Sequence, residues 1–228
     1  MKTFSSSVLA AMTALVLVAC GGGGSDDSSP ATYAVNTAQR HLLVDGGSWS
    51  LTGPAPSGGN YTVVMSLSPT ARGTPIVGST LHQASKQTYT LQQGGVTTSS
   101  GGPTLYFDDP GLVIVQTDNG DGSCSVATSN TALPNTASVG ASGAFFSLSD
   151  LDSCASGGSA VGITTTTWSL ENDAGVALLC WNMTGKDLSG AVIGTVSSCV
   201  QITPDGALGT KARLTITGLG VSTTARNF

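Results

Sequence analysis

The chain has 228 residues and a formal net charge of −5, and only 9% of its residues are charged. Its Lys and Arg are scattered singly, which excludes a nucleic-acid-binding role that needs them clustered. Apolar residues reach 39%, so the composition is not that of disorder, and the length suffices for one large β domain or two small ones.

Lys2 opens the sequence, and an apolar run over 8–18 follows that is too short to span a bilayer as a mature helix. Leu17-Val18-Ala19-Cys20 ends it. Small residues before a single cysteine resemble the lipobox of bacterial lipoproteins. The resemblance implies that 1–19 is a signal peptide cut after Ala19, and that Cys20 is acylated on its thiol and new amine. It also implies an outer-membrane address, facing the periplasm or the cell surface, because Gly21 stands where lipoproteins kept in the inner membrane carry Asp. One acyl chain holds a protein marginally and two or more hold it firmly. Residues 20–30, rich in Gly and Ser, form a flexible tether that spaces the fold by roughly 15–20 Å.

Asn36 is placed to cap a short helix over 37–44, ended by Gly46-Gly47. From Trp49 the hydrophobic period is two. Tyr61, Val63, Met65 and Leu67 share one face of a strand, with Thr62, Ser66 and Ser68 opposite. Tyr89 with Leu91 and Leu105 with Phe107 mark two further strands, and 112–115, apolar on both faces, predicts a central one. A turn at Asp118-Asn119-Gly120-Asp121-Gly122 follows.

Residues 130–143 read as a linker or long loop between a first β unit, 31–129, and a second, 144–228. In the second, strands over 163–170 and 176–181 form a hairpin about Asn172-Asp173-Ala174-Gly175. Strands over 192–203 and 212–217 flank a turn at Pro204-Asp205-Gly206. Trp49-Ser50-Leu51 recurs as Trp168-Ser169-Leu170, and each is followed by an apolar strand and an apolar pair with Gly, Ile76-Val77-Gly78 and Val192-Ile193-Gly194. That similarity raises a duplication, with Trp49 and Trp168 in equivalent core positions. The expected fold is all-β, antiparallel and sandwich-like, in one unit or two related units, with a short N-terminal helix. The Cys-Gly run, Ser48-Trp49-Ser50-Leu51, and Leu133-Pro134 leading to 139–143 resemble exported lipoproteins of Gram-negative bacteria, a likeness that implies no activity.

Four cysteines remain after Cys20: Cys124, Cys154, Cys180 and Cys199. An even number in an exported chain predicts two disulfides. Cys180 and Cys199 flank 184–190 and can face each other across a hairpin, which leaves Cys124 with Cys154. Each bridge would stabilise by roughly 3–4 kcal/mol in the chain-entropy model. A zinc site is the rival, but there is no C-x-x-C pair and only two histidines.

No motif names a reaction. G-x-S-x-G is absent, and the only imidazoles are His41 and His82. Paired carboxylates for glycan hydrolysis would have to come from Asp108-Asp109, Asp150 with Asp152, or Glu171 with Asp173, all in turn-like contexts. Asp118 and Asp121 are weak calcium candidates, since Gly120 occupies a ligand position of the EF-hand spacing and a plain turn explains them. Trp49, Trp168, Trp181, Tyr61, Tyr89 and Tyr106 could form a sugar-stacking platform, although aromatics in alternating strands more often build a core.

The expected function is therefore a lipid-anchored, non-enzymatic envelope protein that binds or scaffolds, without cofactor or metal. Its partners are the membrane, through lipid on Cys20, and an envelope protein or glycan. The alternative is an envelope hydrolase acting on glycan or peptide. The two differ at a pocket, where convergent carboxylates or histidines would mark the hydrolase.

Overall fold

A strand that is apolar at every second position buries one face and wets the other. A chain built of such strands must either stack two sheets or close one sheet on itself. The computed structural model describes residues 31–228 apart from 56–57, 76–79, 155–157 and 219–220, and it shows the second solution.

The described chain begins with β1 (Thr32–Tyr33) and α1 (Val35–Arg40), the helix running on into a wider π-type turn at His41–Asp45. Next come β2 (Gly47–Pro54), β3 (Asn60–Gly73), β4 (His82–Gln93), β5 (Val96–Gly101) and β6 (Thr104–Asp108). They are followed by β7 (Val113–Asp118), β8 (Cys124–Asn130), β9 (Ala137–Ser138) and β10 (Ser142–Leu151). The last five are β11 (Ala160–Asp173), β12 (Val176–Asp187), β13 (Val192–Ile202), β14 (Leu208–Gly218) and β15 (Val221–Arg226).

Every pairing is antiparallel, and the β15–β2 and β3–β4 pairings close twelve strands into a barrel. β5 and β6 lie end to end along one edge of β4, opposite residues 89–93 and 83–86. Gly102 joins them at φ +150°, and a Cβ there would stand 2.3 Å from the Gln87 carbonyl oxygen, so only glycine lets the strand step across.

The expected sandwich is thus corrected to a barrel. The in-out alternation is common to both architectures. What separates them is whether the first and last long strands meet, and closure removes the unpaired edges that a sandwich must protect. Strands from 31–129 and from 144–228 belong to this one sheet, joined at β8–β10 and at β15–β2. Of the apolar segments compared above, 76–78 lies outside the described residues.

The in-facing residues form one core. Trp49 and Leu51 on β2, Tyr61, Val63, Met65 and Leu67 on β3, and Phe107 on β6 all belong to it. Trp168 and Leu170 on β11, Trp181 on β12 and Leu214 on β14 meet them from the other wall. The outward residues are mostly hydroxylic. Thr165, Thr184, Thr195, Thr217 and Ser222 stand opposite one another across β11 to β15, and Thr167, Asn182, Ser197, Thr215 and Thr224 form the adjacent row. A barrel that crosses a membrane turns an apolar band outward; here the alternation runs the other way.

One end of the barrel is closed. α1 and the π-type turn bury Val35, Ala38, Gln39, Leu42 and Leu43. The Trp181 indole N–H donates to Gln39 Oε1 at 3.0 Å. Asn36 does not cap this helix, contrary to expectation. The N-cap is Ala34, without a side-chain cap, and Asn36 Nδ2 instead donates to the Leu133 carbonyl oxygen at 3.3 Å. Gly46, at φ +79°, ends the π-type turn as expected. Leu112 is not part of a strand; it is buried in the turn before β7 at φ +53°.

The hairpin turns are tied by aspartates. Side-chain hydrogen bonds from Ser123, Ser189 and Thr203 hold Asp121, Asp187 and Asp205 below the usual carboxylate value of 3.8. A carboxyl whose folded pKa is depressed contributes stability above its unfolded pKa and loses it as pH falls through the folded one. The thermal midpoint is therefore expected to drop below about pH 4. Melting curves from pH 7 to pH 2 check this, and a midpoint unchanged down to pH 2 would contradict it.

Candidate binding cavity at the open end

The end of the barrel away from α1 is not filled. In-facing positions there carry Tyr61 and Val63 on β3, Tyr89, Leu91 and Gln93 on β4, and Leu214 and Ile216 on β14. Ala55, Ser99 and Thr223 complete the described lining of a 340 Å³ cavity. That volume lies at the low end of small-molecule sites, which run from about 300 to 1,000 Å³. Register explains why these residues meet. Tyr61 pairs with Gln93, Val63 with Leu91 and Met65 with Tyr89, so β3 and β4 turn matching faces inward. On the opposite side Ile216 pairs with Thr223 of β15.

The wall is chemically quiet. None of the described lining residues is charged. The two phenols on it already have partners within the protein: Tyr61 Oη lies 2.9 Å from Thr223 Oγ1, and Tyr89 Oη lies 2.8 Å from Ser198 Oγ. Tyr89 Oη also accepts a hydrogen bond from Gln87 Nε2 at 2.8 Å. Burial pushes the Tyr89 phenol up to about 12, the Ser198 hydrogen bond opposing only in part, so it stays neutral at any physiological pH. Both hydroxyls are therefore already engaged within the protein. The polar groups left near the mouth are those of Gln93 and Ser99.

The residues singled out in the sequence lie elsewhere. Cys180 and Cys199 are directly opposite on β12 and β13 and form the expected disulfide. The bond sits on the outer face of the barrel beneath Arg213, whose Nη2 lies 3.3 Å from Cys199 Sγ. Arg213 donates to Glu171 Oε2 at 2.5 Å and to Asp173 Oδ2 at 2.8 Å. Burial opposes its charge, and these two carboxylates more than offset that and raise its pKa. Cys124 and Cys154, the other expected pair, are both buried and stand as free thiols beside one another. Burial, then hydrogen bonding to Cys124, pushes the Cys154 thiol up to about 12, so it is protonated at neutral pH and a poor nucleophile or metal ligand. Cys20 lies outside the described residues.

The carboxylates and imidazoles weighed for hydrolysis do not converge on the cavity. His82 Nδ1 meets Asp108 at 2.6 Å, Arg40 holds Asp109 at 2.6 Å, and His41 Nδ1 meets Asp45 at 2.5 Å, all beside the closed end. Asp150 accepts from Thr164 Oγ1, and Asp152 accepts from the Ser159 backbone N–H. Asp118 and Asp121 each accept hydrogen bonds from their own turn, from Gly120 N and from Ser123 N respectively. The one described cluster with metal-ligand spacing is Glu171 with Cys180 and Cys199, and its sulfurs are consumed by the disulfide. Trp49, Trp168 and Trp181 are core residues and form no surface platform.

Sequence reasoning did not find the cavity. Tyr61, Val63, Tyr89 and Leu91 were legible as in-facing, but their convergence with Leu214 and Ile216 depends on the pairing of β15 with β2, where Arg226 stands opposite Thr52. Compared with family models, with curated proteins and with solved structures, the chain finds no match.

Proposed function

We propose that this chain is a non-enzymatic binding protein of the cell envelope, holding an apolar ligand in the open end of its barrel. The observation that carries this reading is the 340 Å³ cavity, lined by aliphatic and aromatic side chains without a charged group among the described ones. A concave, mostly apolar site with a few polar groups at its mouth is the usual form of a small-molecule site. The hydroxyl-rich outer face supports a barrel that stands in water, with attachment supplied by lipid on Cys20 at the outer membrane. The described chain starts at Ala31, beside the closed end, where Ala34 N donates to the Pro204 carbonyl oxygen.

Two experiments test this. A neutral naphthalene dye is expected to brighten on binding, and Leu91→Trp, which fills the cavity from a partly exposed position, is expected to weaken the dye at least tenfold while leaving the melting temperature within a few degrees. Dye binding that Leu91→Trp does not change would contradict the proposed site. Mass spectrometry of membrane-extracted protein is expected to find residue 20 acylated, and an unmodified Cys20 would refute the anchor.

A further inference from the structure

The lip of the cavity is cut by a row of glycines. Gly185 of β12 pairs with Gly194 of β13, which pairs with Gly218 of β14. They occupy the level above Met183, Val196 and Ile216 on the in-facing side. Three adjacent positions carry no side chain where the neighbouring level carries Met, Val and Ile, and a Cβ at Gly218 would lie 3.2 Å from the Ile193 carbonyl oxygen. A Cβ at Gly194 would lie 3.2 Å from the Thr217 carbonyl oxygen, so the strands here run closer to their neighbours than a side chain easily permits.

The notch is apolar. The β12–β13 register shifts between Gly185 and Lys186, and Ile193 drops out of the pairing. Its side chain lies over Gly185, where a Cβ would be 3.3 Å from Ile193 Cγ1. Ile193 is 59% exposed and Ile216 is 42% exposed. Together with Val196 they line a second depression, which shares Ile216 and Thr223 with the cavity. The two therefore adjoin at Ile216 and Thr223.

Depth and lining set the class of the occupant. Gln93, Leu91 and Tyr89 project at alternate positions down β4, so the lining descends about 13 Å at a rise of about 3.3 Å per residue. That shaft suits an extended chain. Its phenols are already paired, and its described lining holds no cation for a carboxylate or phosphate.

We propose that the cavity and the Ile193 depression form one track for a single unbranched aliphatic chain, whose inner end lies above Tyr89 and which leaves across Ile216 and Ile193. The inference rests on the binding reading above and specifies its ligand class: a long alkyl or acyl chain whose head group is uncharged or stays in solvent. A chain longer than the shaft gains by continuing over the notch, because each added methylene covers apolar surface at the lip instead of water.

Displacement of the bound naphthalene dye by unbranched primary alcohols tests this. Tetradecan-1-ol is expected to bind at least tenfold more tightly than decan-1-ol. Ile193→Asp, at an exposed position outside the shaft, is expected to reduce that gain to within about twofold and to leave decan-1-ol unchanged. Ile193→Leu should restore the gain. Decan-1-ol binding with no gain for the longer chain, or a gain that Ile193→Asp leaves intact, would overturn the track and leave the cavity reading standing. If the dye binds at the cavity but neither alcohol displaces it, the ligand class is wrong. If neither the dye nor the alcohols bind, both readings fall.

Discussion

Trp168→Ala is expected to destabilise the barrel by roughly 3–5 kcal/mol, the range for removing a large aromatic from a packed core. Trp168 is 5% exposed and belongs to the single cluster inside the barrel. It stands between Gly143 of β10 and Trp181 of β12 in the strand register. A Cβ at Gly143 would lie 2.9 Å from its Nε1, so the opposite strand already gives up its side chain to admit the indole. At a few degrees per kcal/mol for a chain of this size, the melting temperature should fall by about 10 °C or more. Trp168→Phe should cost less, because it keeps most of the volume. Thermal denaturation of the two variants beside the parent measures both. A Trp168→Ala protein that melts with the parent would show that the indole is not part of the core.

The second large effect is expected at the outer disulfide. Replacing Cys180 and Cys199 together by Ala should cost about 3 kcal/mol in the chain-entropy model, since their separation of 19 residues sets the loop closed in the unfolded chain. The folded side of the balance adds to this. Both sulfurs lie in a small apolar cluster with Val176 and Leu178, packed against Phe228 and separate from the barrel core. Arg213 spans the bond and is held from the far side by Glu171 and Asp173, so the variant keeps the ion pairs and loses the sulfur contact beneath the guanidinium. Chemical denaturation of the double variant, with parent protein kept oxidised and reduced, measures the effect. Equal midpoints in all three would mean that the β12–β13 ladder alone sets the stability there.

Much of the fold was legible because strand formation is local. The alternation of Tyr61, Val63, Met65 and Leu67 against Thr62, Ser66 and Ser68 requires a pleated strand with one buried face, and β3 is that strand. The turn residues Asn172, Asp173, Ala174 and Gly175 likewise place a hairpin where β11 meets β12, with Ala174 and Gly175 both at positive φ. The Cys180–Cys199 bond followed from two strands and one turn.

What the sequence did not disclose depends on distant pairings. Nothing within β2 or β15 states that they will meet, and that contact, Arg226 opposite Thr52, separates a barrel from a sandwich. The cavity depends on the same closure, since it is bounded by β3 and β4 on one side and by β14 and β15 on the other. Asn36 was misplaced for a related reason. A side chain able to cap its own helix reaches the Leu133 carbonyl oxygen instead, an acceptor 97 residues away that no local pattern reveals.

A crystal structure of the protein soaked with decan-1-ol addresses the central claim most directly. The account predicts an extended chain inside the barrel mouth, in contact with Tyr61, Leu91 and Leu214 and ending above Tyr89. A mouth that holds ordered water, with the alcohol absent or bound only on the outer Thr and Ser rows, would contradict it.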